Sequence, residues 1–174
     1  VRMGSSISAD LSGFCDLRLS AYFSEGTYRG ESVLYALPPT HNIAKKEGTN
    51  TAEYAARPKV DANSPLYWFR ASETYFLKAE AALYGFITED VQSLYEAGVT
   101  QSFKENGVAL GNYLTSENKP IDVRYATLKY NTPYSSTIST GNVSPKWSTS
   151  AGKEKQLQQI ITQKYLALYP NAME

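Results

Sequence analysis

The chain has 174 residues, one domain's worth, and its 17 Lys and Arg balance 17 Asp and Glu. With no block of like charge either, nothing draws it to nucleic acid or to an anionic bilayer. One cysteine and one histidine exclude an internal disulfide and a cysteine-based zinc cage, and no apolar run approaches the roughly 18 residues of a membrane span.

Residues 1–65 read as an irregular segment of Gly, Ser, Pro and Asn clusters, with apolar pieces as short as Leu34-Tyr35-Ala36-Leu37. One short helix and some paired strand fit there. Arg29-Gly30 and Pro38-Pro39 punctuate it, and Pro58 and Pro65 mark the passage into a helical part.

Residues 66–106 read as a helical hairpin. Its first helix carries Trp68 and runs through the alanine-rich stretch from Arg70 to Leu83. Small Ala71, Ala79 and Ala82 let a neighbouring backbone approach, while Phe69, Tyr75, Phe76 and Leu83 fill the space between helices. Gly85 supplies the left-handed stop. The second helix spans about Glu89 to Asn106, with Thr88 as N-cap and Glu89 and Asp90 in the first turn, where negative charge suits the dipole. No capping box completes that start, because Val91 stands where a Glu would. The spacing approaches the tetratricopeptide period, with Ala97 and Phe103 in the second helix, and a single such unit cannot bury its core alone.

Residues 107–152 lose helical periodicity and become rich in Ser, Thr, Asn and Pro, with Tyr113, Tyr125, Tyr130, Tyr134 and Trp147 spread through them. An insertion of this length is either functional or disordered. Residues 153–174 hold a packing helix, about Lys153 to Tyr169, with Leu157, Ile160, Ile161, Lys164, Tyr165 and Leu168 on one face and Pro170 as its end. The fold class is mainly α: a tetratricopeptide-like hairpin plus a further helix, with long irregular loops, in one domain over 1–174.

Catalytic constellations are missing from this pattern, and the chain reads as a non-enzyme that calls for no cofactor or metal. His41 sits in a Pro-Pro-Thr-His-Asn turn without metal-ligand spacing and reads as a solvated loop histidine. Cys15 reads as an unpaired thiol packed in a core. Glu73 and Glu80 resemble a glycosidase pair, but seven residues of helical rise separate their backbones by roughly 10 Å, so salt bridging is their expected work. Binding fits better. A sugar ring is held by stacking its C–H face on Trp or Tyr and offering polar groups to its hydroxyls, and Tyr130, Tyr134 and Trp147 supply those types. A loop aromatic can equally serve as a plug over the core.

Three blocks in order carry a resemblance. Phe76-Leu77-Lys78-Ala79-Glu80-Ala81-Ala82-Leu83 with Leu94 to Phe103, then Trp147, then Ile160-Ile161-Thr162-Gln163-Lys164-Tyr165 resemble the SusD/RagB family. Asp16-Leu17-Arg18-Leu19 echoes the family's Asp-Pro-Arg-Leu segment, with Leu17 where Pro is usual. The resemblance implies a SusD-like α-α superhelix with tetratricopeptide-like helix pairs, in a surface-exposed outer-membrane lipoprotein of Bacteroidetes. It implies capture of nutrient glycans, or peptides in some branches, for a SusC-like TonB-dependent transporter partner. Members are about three times longer, so the family implies a fragment whose secretion signal and lipid anchor lie outside this chain; Phe14 sits where a lipobox before Cys15 would need a small residue. No family ligand residue carries over to a numbered position. The alternative reading is a tetratricopeptide-like module that binds a peptide or protein.

Overall fold

A computed structural model describes residues 2–28, 30–36, 55–65, 67–121, 123–126, 133–136 and 141–171. His41 and Tyr130 lie outside the described residues. Among the described residues the helices are α1 (Ser5–Gly13), α2 (Arg18–Tyr22), α3 (Ala71–Leu83), α4 (Val91–Glu105) and α5 (Lys153–Ala167), and a 3-10 turn spans Tyr113–Thr115. Antiparallel pairs among the described residues join β1 (Phe23–Ser24) with β4 (Arg57–Pro58), β2 (Gly26–Tyr28) with β3 (Glu31–Val33), and β5 (Val123–Ala126) with β6 (Pro133–Ser136).

Among the described residues of 1–65 there are two helices, where one short helix was expected. In α1, Ile7, Ala9 and Leu11 are buried, and so are Ser5, Ser8 and Asp10. A helix enclosed on most sides has no polar face, so the apolar periodicity that advertises a helix is absent from its sequence.

Helices α3 and α4 pack against each other, and α5 packs against both, chiefly against α3. The buried line of α3 is Ser72, Phe76, Ala79 and Leu83, at spacings of four, three and four. Two of the expected fillers are not on it. Tyr75 is exposed, and Phe69 and Trp68 both precede the helix, which begins at Ala71. Ala71 is exposed as well. The residue that admits the close approach is Gly98 of α4, against the ring of Phe76. At the far end of α3, Gly85 takes φ +80° while Gly85 N–H bonds to Ala82 O and Phe86 N–H to Ala81 O, a Schellman stop.

The second helix starts later than Thr88 and Glu89 suggested. Asp90 is its N-cap, its carboxylate accepting from Ser93 N at 2.8 Å and Ser93 Oγ at 2.7 Å. Those hydrogen bonds hold the Asp90 carboxyl below its ordinary pKa. Two cap-forming residues stand two apart here, and the one with a hydroxyl three residues ahead of it prevails.

On α5 the buried residues are Gln159, Ile160, Gln163, Leu166 and Ala167, whereas Ile161 is half exposed. The helix is thus rotated from the purely apolar face by two glutamines that turn inward to polar partners. The segment before it is bound to the helices: Lys146 N–H donates to Ser116 O, and Tyr95 OH donates to Pro145 O at 2.7 Å.

Candidate functional site

Asp16 and Arg18 form the frame on which the rest is hung. Arg18 Nη2 lies 2.6 Å from Asp16 Oδ2, and both side chains are fully buried. The guanidinium also donates to Ser102 Oγ of α4 (2.9 Å) and to Gln163 Oε1 of α5 (2.8 Å), with Tyr113 OH at 3.2 Å. The ring of Phe103 lies 4.6 Å from it. Burial of a charge in this way is tolerated because every nitrogen of the guanidinium has a partner, and loss of any one of them is costly. Burial pushes the Tyr113 phenol well above its ordinary pKa, so it stays neutral beside the pair. The network ties α2, α4, the 3-10 turn and α5 into one body.

Gln159, one turn before Gln163, extends this order to the surface. Its amide nitrogen donates to Ser144 O (2.9 Å) and Lys146 O (2.7 Å), and its oxygen accepts from Ser148 N (3.2 Å). The loop so fixed carries Trp147, which is 7% exposed and packs on Tyr95 with ring centroids 5.0 Å apart. Trp147 lines a surface cleft of about 490 Å³ together with Glu117, Lys119, Ser144, Lys146 and Ser148–Ser150. Lys146 and Glu117 pair across it at 2.6 Å, which keeps the Glu117 carboxyl below its usual pKa. The cleft has hydroxyls and both charge signs at its rim. Of the other two sequence candidates, Tyr134 stands in β6 opposite Tyr125 of β5, and Tyr130 is outside the described residues.

A second aromatic site went unread in the sequence. Tyr67, Trp68 and Phe69 lead into α3 with a bend at Trp68 and are 51%, 92% and 60% exposed. Arg70 anchors the segment, its guanidinium 4.6 Å from the Tyr67 ring and its Nη2 donating to Tyr169 O at 3.2 Å. Beside them lies a cavity of about 270 Å³, walled by Val60, Leu168 and Pro170 and edged by Asp61, Ser64, Glu73 and Asn171. Three successive aromatics ahead of an amphipathic helix look like core in a sequence. Only their exposure separates them from it.

The residues weighed for chemistry are dispersed. Cys15 is exposed rather than packed in a core: it follows the C-cap of α1 at φ +55°, and Phe14 takes the buried position instead. Glu80 bonds Lys164 of α5 at 2.9 Å, a salt bridge between helices, while Glu73 sits at the edge of the Trp68 cavity. Among the described residues no cluster of three or more His, Cys, Asp or Glu could hold a metal, and no helix is long and apolar enough to cross a membrane.

The SusD-like family model, described as Susd and RagB outer membrane lipoprotein, matches residues 1–174. Among solved structures, BT1043 is 52% identical with a TM-score of 0.85, over 98% of this chain and 35% of that one. A susD homolog from Bacteroides thetaiotaomicron, BT1281, is 29% identical at TM-score 0.81, over 98% of this chain and 36% of its own. A chitin-binding SusD homolog from Flavobacterium johnsoniae is 27% identical at TM-score 0.78, over 98% and 35%. The chain thus spans about a third of the length of these solved relatives. No curated relative matches it. With the family model covering every residue and the same helical frame in these homologues, the chain belongs to the SusD-like family of outer-membrane lipoproteins.

Proposed function

We propose that this chain serves non-catalytic capture of nutrient glycans at the outer-membrane surface, for delivery to a TonB-dependent transporter. The observation that carries the reading is the family match over the whole chain. The chitin-binding homologue of the same fold supports a saccharide ligand. So does the chemistry of the surface, where aromatic side chains border clefts edged with hydroxyls, carboxylates and amines, the combination that holds a sugar ring by its face and its rim. Trp147, Tyr130 and Tyr134 are proposed as ligand contacts, with Trp147 acting as a wall of its cleft, since Tyr95 packs against its ring. A single SusD-like unit over 1–174 is the domain arrangement that accompanies this reading.

Isothermal titration of the full chain with soluble oligosaccharides and with mixed peptides tests it. Saturable binding of a glycan class, insensitive to salt, is the expected result, with no new reducing ends after prolonged incubation. Peptide binding that weakens with salt, without sugar binding, would replace it by the peptide-module reading.

A further inference from the structure

The cleft beside Trp147 is charged unevenly. Its rim carries Lys119, Lys146 and Glu117, two ammonium groups against one carboxylate, with the hydroxyls of Ser144, Ser148 and Ser150 among them. Its walls are bonded to one another and to the helices. Lys146 N–H donates to Ser116 O at 3.0 Å, and the buried Gln159 ties the 144–148 stretch to α5. The opening is therefore a polar cleft made by this chain's own bonded segments, not an apolar face left without a neighbour. We propose that it is a subsite for an acidic saccharide, whose carboxylate or sulfate is taken by Lys119 and Lys146 while ring hydroxyls meet the serines. The inference rests on the glycan-capture reading and adds a ligand class to the Trp147 cleft.

The two cations are held differently. Lys146 is paired with Glu117 at 2.6 Å, but the two side chains are 51% and 75% exposed. An ion pair so open to water contributes little, so a ligand anion displaces the Glu117 carboxylate at small cost. The Lys119 ammonium makes no ion pair or side-chain hydrogen bond among the described residues, and its attraction for an anion is cancelled by no protein carboxylate of its own. An ammonium is a compact charge with three donors, which suits a carboxylate or a sulfate alike. At about 490 Å³ the cleft has room for a sugar ring beside that group. A neutral ring gives each ammonium a hydroxyl and nothing more. The advantage of the acid is thus electrostatic and screened by salt, while the binding of the neutral part of the ligand is not.

The test is calorimetric titration of the full chain with matched probes: lactose against 3′-sialyllactose and lactose 3′-sulfate, and maltotetraose against tetragalacturonate. Wild type, Lys119→Met and Glu117→Gln are compared, each with its thermal midpoint. At least one acidic probe is expected to bind about three- to tenfold more tightly than its neutral counterpart at low salt, and to lose that advantage by roughly 0.5 M sodium chloride. The sialyl and sulfated forms of lactose tell whether a carboxylate or a sulfate is the better fit. Lys119→Met should remove most of the acidic-to-neutral ratio, whereas Glu117→Gln, which releases Lys146, should raise it severalfold, both at an unchanged midpoint. A ratio near or below one in wild type overturns the acidic subsite, and so does a ratio that neither variant moves; in both cases neutral-sugar binding leaves glycan capture standing. Absence of binding to any sugar overturns glycan capture together with the subsite.

Discussion

Gly98 on α4 faces the ring of Phe76 on α3 so closely that a Cβ built at position 98 would stand 2.9 Å from Phe76 Cε1. The two helices meet at this contact, since Phe76 is fully buried and Gly98 is the position opposite it. Alanine would gain up to about 1 kcal/mol of helix propensity at this site. Overpacking costs about 1–3 kcal/mol, and the ring has no open side to move into. Gly98→Ala is therefore expected to lower unfolding free energy by about 1–2 kcal/mol, read by chemical denaturation. Adding Phe76→Leu, which shortens the intruding group, should make the Gly98→Ala cost vanish in the double-mutant cycle.

The buried Asp16 and Arg18 pair predicts a larger loss. Asp16→Ala leaves Arg18 fully enclosed with its charge uncompensated, and breaking such a pair costs about 3–5 kcal/mol. Arg18→Lys should cost nearly as much, because one ammonium cannot reach Asp16, Ser102 and Gln163 together. Denaturant midpoints compare the two, and a Lys variant close to wild type would show that the guanidinium fork is dispensable.

Position 17 is where the chain departs from the family's Asp-Pro-Arg-Leu wording. Leu17 is half exposed and already sits at φ −66°, the angle that proline imposes. Leu17→Pro should raise stability by about 0.4–1 kcal/mol by restricting the unfolded chain, visible as a higher thermal midpoint.

These cases show which parts of the structure the sequence could announce. The hairpin was legible because the α3 line Phe76, Ala79, Leu83 repeats at helical spacing and Gly85 marks its end. Gln159 and Gln163 were not, because a buried glutamine declares itself only through its partner, and Arg18 is 145 residues away from Gln163. Helix α1 escaped for the related reason that its serines and Asp10 are enclosed along with its apolar residues. At the candidate site the failure was one of solvent exposure: Trp68 and Trp147 have the same chemistry, and nothing local in either segment says which one is covered.

Alkaline pH should unfold the protein early. Burial raises the phenols of Tyr22 and Tyr113 above their ordinary value of 10.0, and burial with neighbouring Tyr22 and Tyr165 raises Tyr169 to about 12. A phenol whose folded pKa is raised holds its proton better in the native state. Its contribution is thus complete below the unfolded pKa near 10 and is lost as pH rises through the folded value. Denaturation midpoints are expected to be flat between neutral pH and about 9 and to fall steeply from about 10 to 12. Tyr113→Phe, with no proton to lose, should flatten part of that fall.

Gln159 bonds the loop that carries Trp147. Its amide holds Ser144 O, Lys146 O and Ser148 N, so Gln159→Ala leaves two carbonyls and an N–H of the loop without that partner. The expected cost is about 1–3 kcal/mol if the groups stay buried, and the loop avoids it by lifting into water. Trp147 then loses its cover, and the effect is readable because the two tryptophans start from opposite states, 92% exposed at Trp68 and 7% at Trp147. In a Trp68→Phe background the remaining emission should be blue-shifted and poorly quenched by acrylamide. Adding Gln159→Ala should shift it red and raise quenching severalfold while the helical circular dichroism persists. Emission unchanged by Gln159→Ala would mean that Tyr95, through its ring and its bond to Pro145 O, holds the tryptophan down without the glutamine.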